Sequence, residues 1–94
     1  MKTFRWSDHA LSNLRDRRID REEAEKVLRE PAATTEGRWG REVLMGVYFD
    51  RELGERMLLR IVVEEVAGEP VVVTVYKTSR IGKYVSVTDR GEEP

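Results

Sequence analysis

Three cations lie within seven residues near the end of the chain, at Lys77, Arg80 and Lys83, and no acid lies between them. Aromatic and hydroxyl side chains are interleaved with them: Tyr76, Ser79 and Tyr84. Lysine and arginine neutralise phosphate, arginine can bind it in a bidentate manner, and aromatic rings stack on exposed bases. The cluster predicts a site for phosphate or RNA. The alternative is the solvated end of a strand and the turn that follows it.

Two further residues could take part in such chemistry. Arg60 is a charge within an otherwise apolar run, where a guanidinium is costly unless it is paired or faces solvent. It is expected either to pair with Glu64 or a helix acid, or to bind an anion on an open sheet face. His9 is the only histidine and lies at a predicted helix start, where it could cap or pack, or act as a base or phosphate contact.

Cleavage of RNA without a metal needs a base for the ribose 2′-hydroxyl, cations for the developing phosphorane charge and an acid for the leaving oxygen. Lysine, arginine, tyrosine and histidine can fill these roles, so no cofactor is predicted. The chain has no cysteine, and its one histidine lacks partners at ligand spacing, so no metal site is predicted. Trp6 and Trp39 are interpreted as core or rim packing, with base stacking as the alternative.

Two short helices are predicted near the N-terminus. Ser7 is the expected N-cap of a helix from about Asp8 to Arg17, and Asp20 of a second from about Arg21 to Arg29. Their tight joint predicts a helical hairpin. A proline ends the second helix, and Pro31 to Gly40 are expected to form a loop.

Three strands are predicted after this loop, from Glu42 to Asp50, Arg56 to Glu65, and Val71 to Thr78. Their connections have hairpin length, which predicts an antiparallel meander. Thr3 to Trp6 is interpreted as a further short strand or an extended lead-in. Ser79 is expected to cap a short closing turn or helix. The predicted fold is therefore α+β, with an N-terminal helical hairpin packed on a three- to four-stranded antiparallel β-meander.

The turn positions predict which residues share a face of the sheet. Turns centred near Leu53 and Gly68 place Ile61 opposite both Met45 and Val75. One face is then apolar and is expected to pack against the helices: Val43, Met45, Val47, Phe49, Met57, Leu59, Ile61, Val63, Val71, Val73 and Val75. The other face is mixed, with the arginine near its centre: Leu44, Gly46, Tyr48, Leu58, Arg60, Val62, Glu64, Val72, Thr74 and Tyr76. A shift by one residue would exchange the faces.

The composition limits the organisation of the chain. Its 94 residues predict a single domain over residues 1–85, followed by a disordered tail at 86–94 that has no apolar content. Charged residues make up 37% of the chain but nearly cancel at a net −1, which argues against nucleic-acid binding driven by bulk charge. The N-terminus has no apolar signal core, and no run approaches the roughly 20 apolar residues of a membrane span. A cytoplasmic protein without membrane association is expected.

Two segments carry a family resemblance: "WSDHALSNLRDRRIDREEAEKVLREP" and, after the predicted strands, "VVVTVYKTSRIGKY". Together they resemble the DUF4258 family of domains of unknown function, which is similar to the BrnT and RelE/ParE toxins of type II toxin–antitoxin modules. The matching features are His9 at the helix start, Arg17 with Ile19, Pro31 after the second helix, and the Tyr, Thr-Ser and Lys-Tyr positions of the ending.

The resemblance implies two helices on a curved antiparallel sheet, and endoribonuclease activity on ribosome-bound mRNA that a cognate antitoxin neutralises. The residues that match the toxins in type and place are Arg60, Lys77, Arg80, Lys83 and Tyr84. In this hypothesis the two arginines steady the phosphate, Lys77 or His9 acts as base, and Tyr84 acts as acid or stacking group. The remaining expected RNA contacts are Arg17, Tyr76, Ser79 and Lys83.

The charge balance departs from the typical toxin, because ribosome-directed toxins are usually strongly basic. A second hypothesis is therefore a non-catalytic module that binds another protein or forms a homodimer. It would use the apolar residues of the mixed face: Leu44, Tyr48, Leu58, Val62 and Val72. A third is a member of the same fold that has lost activity.

Overall fold

The computed structural model describes residues 3–82, where two helices pack against one face of a mixed sheet. The elements follow in this order: β1 (Arg5–Trp6), α1 (Asp8–Asp16), α2 (Arg21–Arg29), β2 (Ala33–Glu36), a 3-10 turn (Arg38–Gly40), β3 (Glu42–Asp50), β4 (Glu55–Val66) and β5 (Glu69–Thr78). The described strands form one sheet in the order β1-β5-β4-β3-β2. β1 runs parallel to β5, and the other neighbours are antiparallel. The α+β class is confirmed, but this sheet is larger than predicted and is not purely antiparallel.

Both helices begin at the predicted N-caps. The hydroxyl of Ser7 accepts a hydrogen bond from the backbone N–H of Ala10 at 3.0 Å. The carboxylate of Asp20 accepts one from the N–H of Glu22 at 2.9 Å. Each cap satisfies a donor that has no partner inside the helix. Arg18, with φ of 55°, makes the left-handed turn that joins the two helices.

The predicted loop from Pro31 to Gly40 is wrong, because Ala33–Glu36 form the edge strand β2. It pairs with the first part of β3. A hairpin turn follows this strand, in which the N–H of Gly37 donates to the carbonyl of Arg41 at 2.7 Å. Between them lie three residues, which is a common hairpin loop length.

The predicted pairing of β3 with β4 is wrong by one residue, since Met45 lies opposite Arg60 rather than Ile61. The loop after Asp50 has four residues (51–54), whereas the predicted turn centre requires an odd number. The slip exchanges the two faces of β3. The residues of β3 that lie on the helix side are Leu44, Gly46, Tyr48 and Asp50.

The predicted pairing of β4 with β5 is confirmed away from their turn, where Ile61 lies opposite Val75. Near the turn it is wrong, because a bulge places Val63 opposite Val72 instead of Val73. The two-residue turn, Ala67 and Gly68, has positive φ at both positions (53° and 83°), as type I′ hairpins require.

The sheet therefore has two unlike faces. The helix-covered face carries the larger apolar core, which includes fully buried Leu59, Ile61, Val72 and Val75. The approach of α2 depends on Gly46, because a Cβ there would lie 2.8 Å from a methyl carbon of Val27. The opposite surface is called here the outer face. It is defined by alternate residues of three strands: Leu58, Arg60, Val62 and Glu64 on β4, Thr74, Tyr76 and Thr78 on β5, and Val43, Met45 and Val47 on β3.

Candidate functional site

Arg60 and Tyr76 form a pair in the middle of the outer face. They lie directly opposite each other on β4 and β5. Nη1 of the arginine donates a hydrogen bond to the tyrosine hydroxyl, and its Cζ lies 5.4 Å from the ring centroid. Both side chains are partly exposed. Glu64, one of the partners predicted for Arg60 beside a helix acid, pairs with Arg41 at 2.9 Å.

Arg80 lies just beyond the end of β5 and is exposed. Its backbone N–H donates to the hydroxyl of Thr78 at 3.1 Å, which fixes the first bend after the strand. Ser79, between them, is also exposed. Lys83 and Tyr84, the last two residues of the predicted closing turn, lie outside the described residues, as does the predicted tail.

Lys77 points away from this pair, because neighbouring residues of a strand face opposite sides of the sheet. Its Nζ lies 2.6 Å from Oδ2 of Asp50 and donates to the carbonyl of Arg18 at 3.1 Å. The side chains of Lys77 and Asp50 are only 14% and 5% exposed, respectively. The geometry thus separates Lys77 from Arg60 and gives it a structural contact, in place of the base position predicted for it.

Asp50 is the centre of this second polar cluster. It also accepts hydrogen bonds from the hydroxyl of Tyr48 at 3.2 Å and from the N–H groups of Glu52 and Leu53. The hydrogen bond from Lys77 is the main cause that holds the pKa of Asp50 below its ordinary value, against the opposing effect of burial. Burial, followed by the charge of Asp50, raises the pKa of Tyr48.

The cluster formed by Tyr48, Asp50 and Lys77 was missed by sequence reasoning. A signal was present, since an aspartate before a glycine-containing turn is well placed to accept from the backbone N–H groups of that turn. Its lysine partner is distant in the chain and is brought near only by the register of three strands.

His9 and Arg17 do not join the pair on the outer face in any contact that the structure shows for residues 3–82. His9 is exposed in the first turn of α1. Arg17 directs Nη1 to the carbonyl of Val75 at 2.8 Å, and buried Asn13 accepts from the N–H of the same residue at 3.0 Å. These two side chains satisfy the carbonyl and the N–H of Val75, which lies beyond the residues of β5 that pair with β1. Arg17, predicted to contact RNA, therefore makes a structural contact.

The two tryptophans have opposite environments. Trp6 is partly buried against the helix-side core, with Cζ of Arg21 at 4.9 Å from its ring centroid, and its predicted packing role is confirmed. Trp39 is 81% exposed, so the same prediction is wrong for it. It lies at the tip of the hairpin between β2 and β3, because that turn, unrecognised in the sequence, carries it away from the core.

Neither a cluster of metal ligands nor a membrane-spanning helix occurs within residues 3–82. No group of three or more histidine, cysteine, aspartate or glutamate side chains there could hold a metal ion. In the same part of the chain, no helix has the length and apolar character needed to cross a membrane.

The arrangement on the outer face can bind an anion. The guanidinium is held in place by a tyrosine that accepts from it, and the hydroxyl proton of that tyrosine stays available for donation to a further oxygen. A phosphate that approached Arg60 would therefore meet a fixed cation and a neutral donor, Tyr76, side by side.

Comparison with known proteins gives a family. The family model DUF4258, a domain of unknown function, matches residues 6–77, which include both helices and nearly all of the sheet. No curated protein matches the chain, and no solved structure does. The chain belongs to the DUF4258 family.

Proposed function

We propose that this chain is a toxin-type protein, similar to RelE and BrnT, that holds single-stranded RNA on its outer face and cleaves it without a metal. The observation that carries the proposal is the guanidinium of Arg60, which is fixed by Tyr76 at the centre of an otherwise apolar strand region.

The proposed roles follow from these contacts. Arg60 and Arg80 bind the phosphate and offset the negative charge that grows as the 2′-hydroxyl attacks phosphorus. Tyr76 donates its proton to a phosphate oxygen or to the leaving 5′-oxygen. Tyr84 keeps its predicted role as acid or stacking group. His9, predicted as a base, lies on α1 on the helix-covered side, so no base is assigned among the described residues and the 2′-hydroxyl proton passes to solvent. Lys77 is left out of the site because Asp50 holds it on the other face.

The net charge of −1 gives this protein no general attraction for nucleic acid, so affinity must come from the local cations. Binding is therefore expected to be detectable at low salt and to weaken steeply as salt rises. A cognate antitoxin would be a second partner, and it would cover the same face when it neutralises the protein.

The test uses the purified chain and an end-labelled single-stranded RNA in the presence of EDTA. We expect cleavage and salt-sensitive binding, and a loss of about tenfold or more in both for Arg60→Ala, because a charged hydrogen bond to phosphate is worth about 1.5–3 kcal/mol. The matched control is Arg29→Ala, which removes an exposed arginine from α2 on the other layer. Binding without cleavage would reduce the proposal to RNA recognition. Equal binding by Arg60→Ala and wild type would reject the site.

A second candidate function is a protein-interaction module. Of the residues predicted for this contact, Leu44, Tyr48 and Val72 lie instead in the helix-side core. One observation still favours the module: partly exposed apolar residues of the outer face pack around buried Val43, Met45 and Leu58, namely Ala33, Val47, Val62 and Ile81. Association through these partly exposed residues would be insensitive to salt, in contrast to RNA binding. Light scattering at low and high salt separates the two.

A further inference from the structure

Trp39 combines an unfavourable backbone conformation with an exposed side chain. Its φ and ψ are 56° and 41°, a left-handed conformation that costs a residue with a Cβ free energy and normally favours glycine. Its side chain is 81% exposed, although burial of a tryptophan is strongly favourable. The chain thus carries a large aromatic ring at a hairpin tip at the expense of both backbone strain and lost burial, and nothing in the local packing accounts for it.

Two arginines accompany the ring. The Cζ atoms of Arg38 and Arg41 each lie 6.0 Å from the centroid of Trp39, at the outer limit of a cation–π contact. Arg41 also pairs with Glu64, which anchors the loop to β4. The exposed aromatic ring is therefore held in place and flanked by positive charge.

The anchor places this loop at one end of the outer face. Glu64 and Arg60 are four residues apart on the same side of β4, a separation of about 13 Å along the strand. Val43 of β3 lies beside the same loop, since its methyl carbon would be 3.6 Å from a Cβ placed on Gly37. An extended ligand held at Arg60 could therefore reach the loop by following the strand.

We propose that Trp39 is a stacking platform for an unpaired base of single-stranded RNA, with Arg38 contacting the adjacent phosphate. This inference rests on the proposed function and adds a second contact point to the same surface. Aromatic stacking tolerates every base, and an arginine beside the ring supplies the charge that a nucleotide needs. A protein partner fits less well, because the residues beside the ring at the tip of the hairpin are the small or charged Gly37, Arg38, Gly40 and Arg41.

The test is a fluorescence titration in the Trp6→Phe background, in which Trp39 is the only tryptophan. The probes are a short oligouridylate and a ribose-phosphate oligomer of equal length without bases. We expect the oligouridylate to quench the emission of Trp39 and the base-free oligomer to have little effect. Trp39→Gly should lower affinity for oligouridylate about tenfold, as expected when one stacked base is lost. Trp39→Phe should retain most of it.

Glycine is chosen because it suits the left-handed backbone, so Trp39→Gly should melt at the same temperature as wild type or higher. Folding and binding are then measured separately. If Arg60→Ala weakens binding but Trp39→Gly does not, the platform is rejected while the proposed function stands. If no variant or wild type binds oligouridylate at low salt, the proposed function fails first. An equal loss of affinity for both probes in Trp39→Gly would also reject stacking.

Discussion

The two faces of the sheet treat charged side chains in opposite ways. On the helix-covered face, Lys77 is almost enclosed, and its ammonium has a carboxylate and a backbone carbonyl as partners. On the outer face, Arg60 is partly exposed and is held by a neutral tyrosine, Tyr76. One cation is therefore placed to stabilise the fold, while the other is the cation to which the proposed function assigns phosphate binding.

The comparison shows that proximity in sequence is a poor guide to a shared site on a strand. Tyr76 and Lys77 are consecutive, yet alternation sends one to each face. A run of cations and tyrosines along a strand is therefore divided between the two faces of the sheet. The role of each side chain depends on the residues that neighbouring strands place beside it. For Lys77 that neighbour is Asp50, which comes from a strand two positions away in the sheet.

The largest effect is expected from removal of the enclosed cation. Lys77→Met should lower the free energy of unfolding by about 2–3 kcal/mol, because it leaves the carboxylate of Asp50 enclosed without its main partner. The value lies below that of a deeply buried pair, since the cluster is close to the molecular surface at the end of the strands. Urea unfolding followed by circular dichroism measures it.

The matched control is Lys26→Met on α2, where the ammonium is 3.7 Å from Glu23 and the lysine side chain is 64% exposed. An exposed pair of this kind is worth below about 0.5 kcal/mol. Equal effects of the two substitutions would contradict the structural role given to Lys77, and that lysine would return to the list of candidate bases.

Much of the fold was predictable from local patterns. Caps, helical spacing and β-branched runs act over a few residues, so the N-caps at Ser7 and Asp20 and the three long strands follow from the sequence. Register was not predictable to the same degree, because it depends on the number of residues in each loop. One residue more or less after Asp50 exchanges the faces of β3 without changing its strand character.

The candidate site was predictable in its residue types but not in its grouping. Arg60 stood out as a charge in an apolar run, and Tyr76 lay in the predicted cluster. Their contact depends on the pairing of β4 with β5, which was predicted correctly at this position because the bulge offsets the misplaced turn centre. The separation of Lys77 from Arg60 follows from strand alternation, whereas its contact with Asp50 depends on the register of β3, a long-range feature. The exposure of Trp39 depends on a hairpin that was not recognised in the sequence.

A smaller effect is expected from titration of the enclosed cluster. The folded-state pKa of Asp50 lies below its ordinary value of 3.8, so its contribution to stability is present above that value and is lost as the pH falls through the folded-state pKa. Unfolding free energies measured from about pH 6 to about pH 3 should therefore decline less in Asp50→Asn than in wild type. Protonation makes the carboxyl of Asp50 neutral, whereas Lys77→Met leaves its charge without the main partner, so this loss is expected to be smaller than that of Lys77→Met.

The alkaline side has the opposite sign. The pKa of Tyr48 is raised above its ordinary value of 10.0, so its contribution is present below that value and declines as the pH rises beyond it. Tyr48→Phe should flatten the alkaline decline. Identical pH profiles for wild type, Asp50→Asn and Tyr48→Phe would show that solvent reaches the cluster and that the two faces do not differ as described.

The smallest change in stability is expected on the outer face. Tyr76→Phe removes the hydroxyl that accepts from Arg60 but keeps the ring near the guanidinium, and both side chains already contact water. The cost should be below about 1 kcal/mol, since solvent replaces a hydrogen bond at a partly exposed position. RNA affinity should fall several-fold, because the guanidinium is no longer held in place for phosphate and the neutral donor beside it is gone. Urea unfolding and RNA titration of the same preparation measure the two effects. If Tyr76→Phe destabilises the protein as much as Lys77→Met does, the pair on the outer face is also structural, and the contrast between the faces fails.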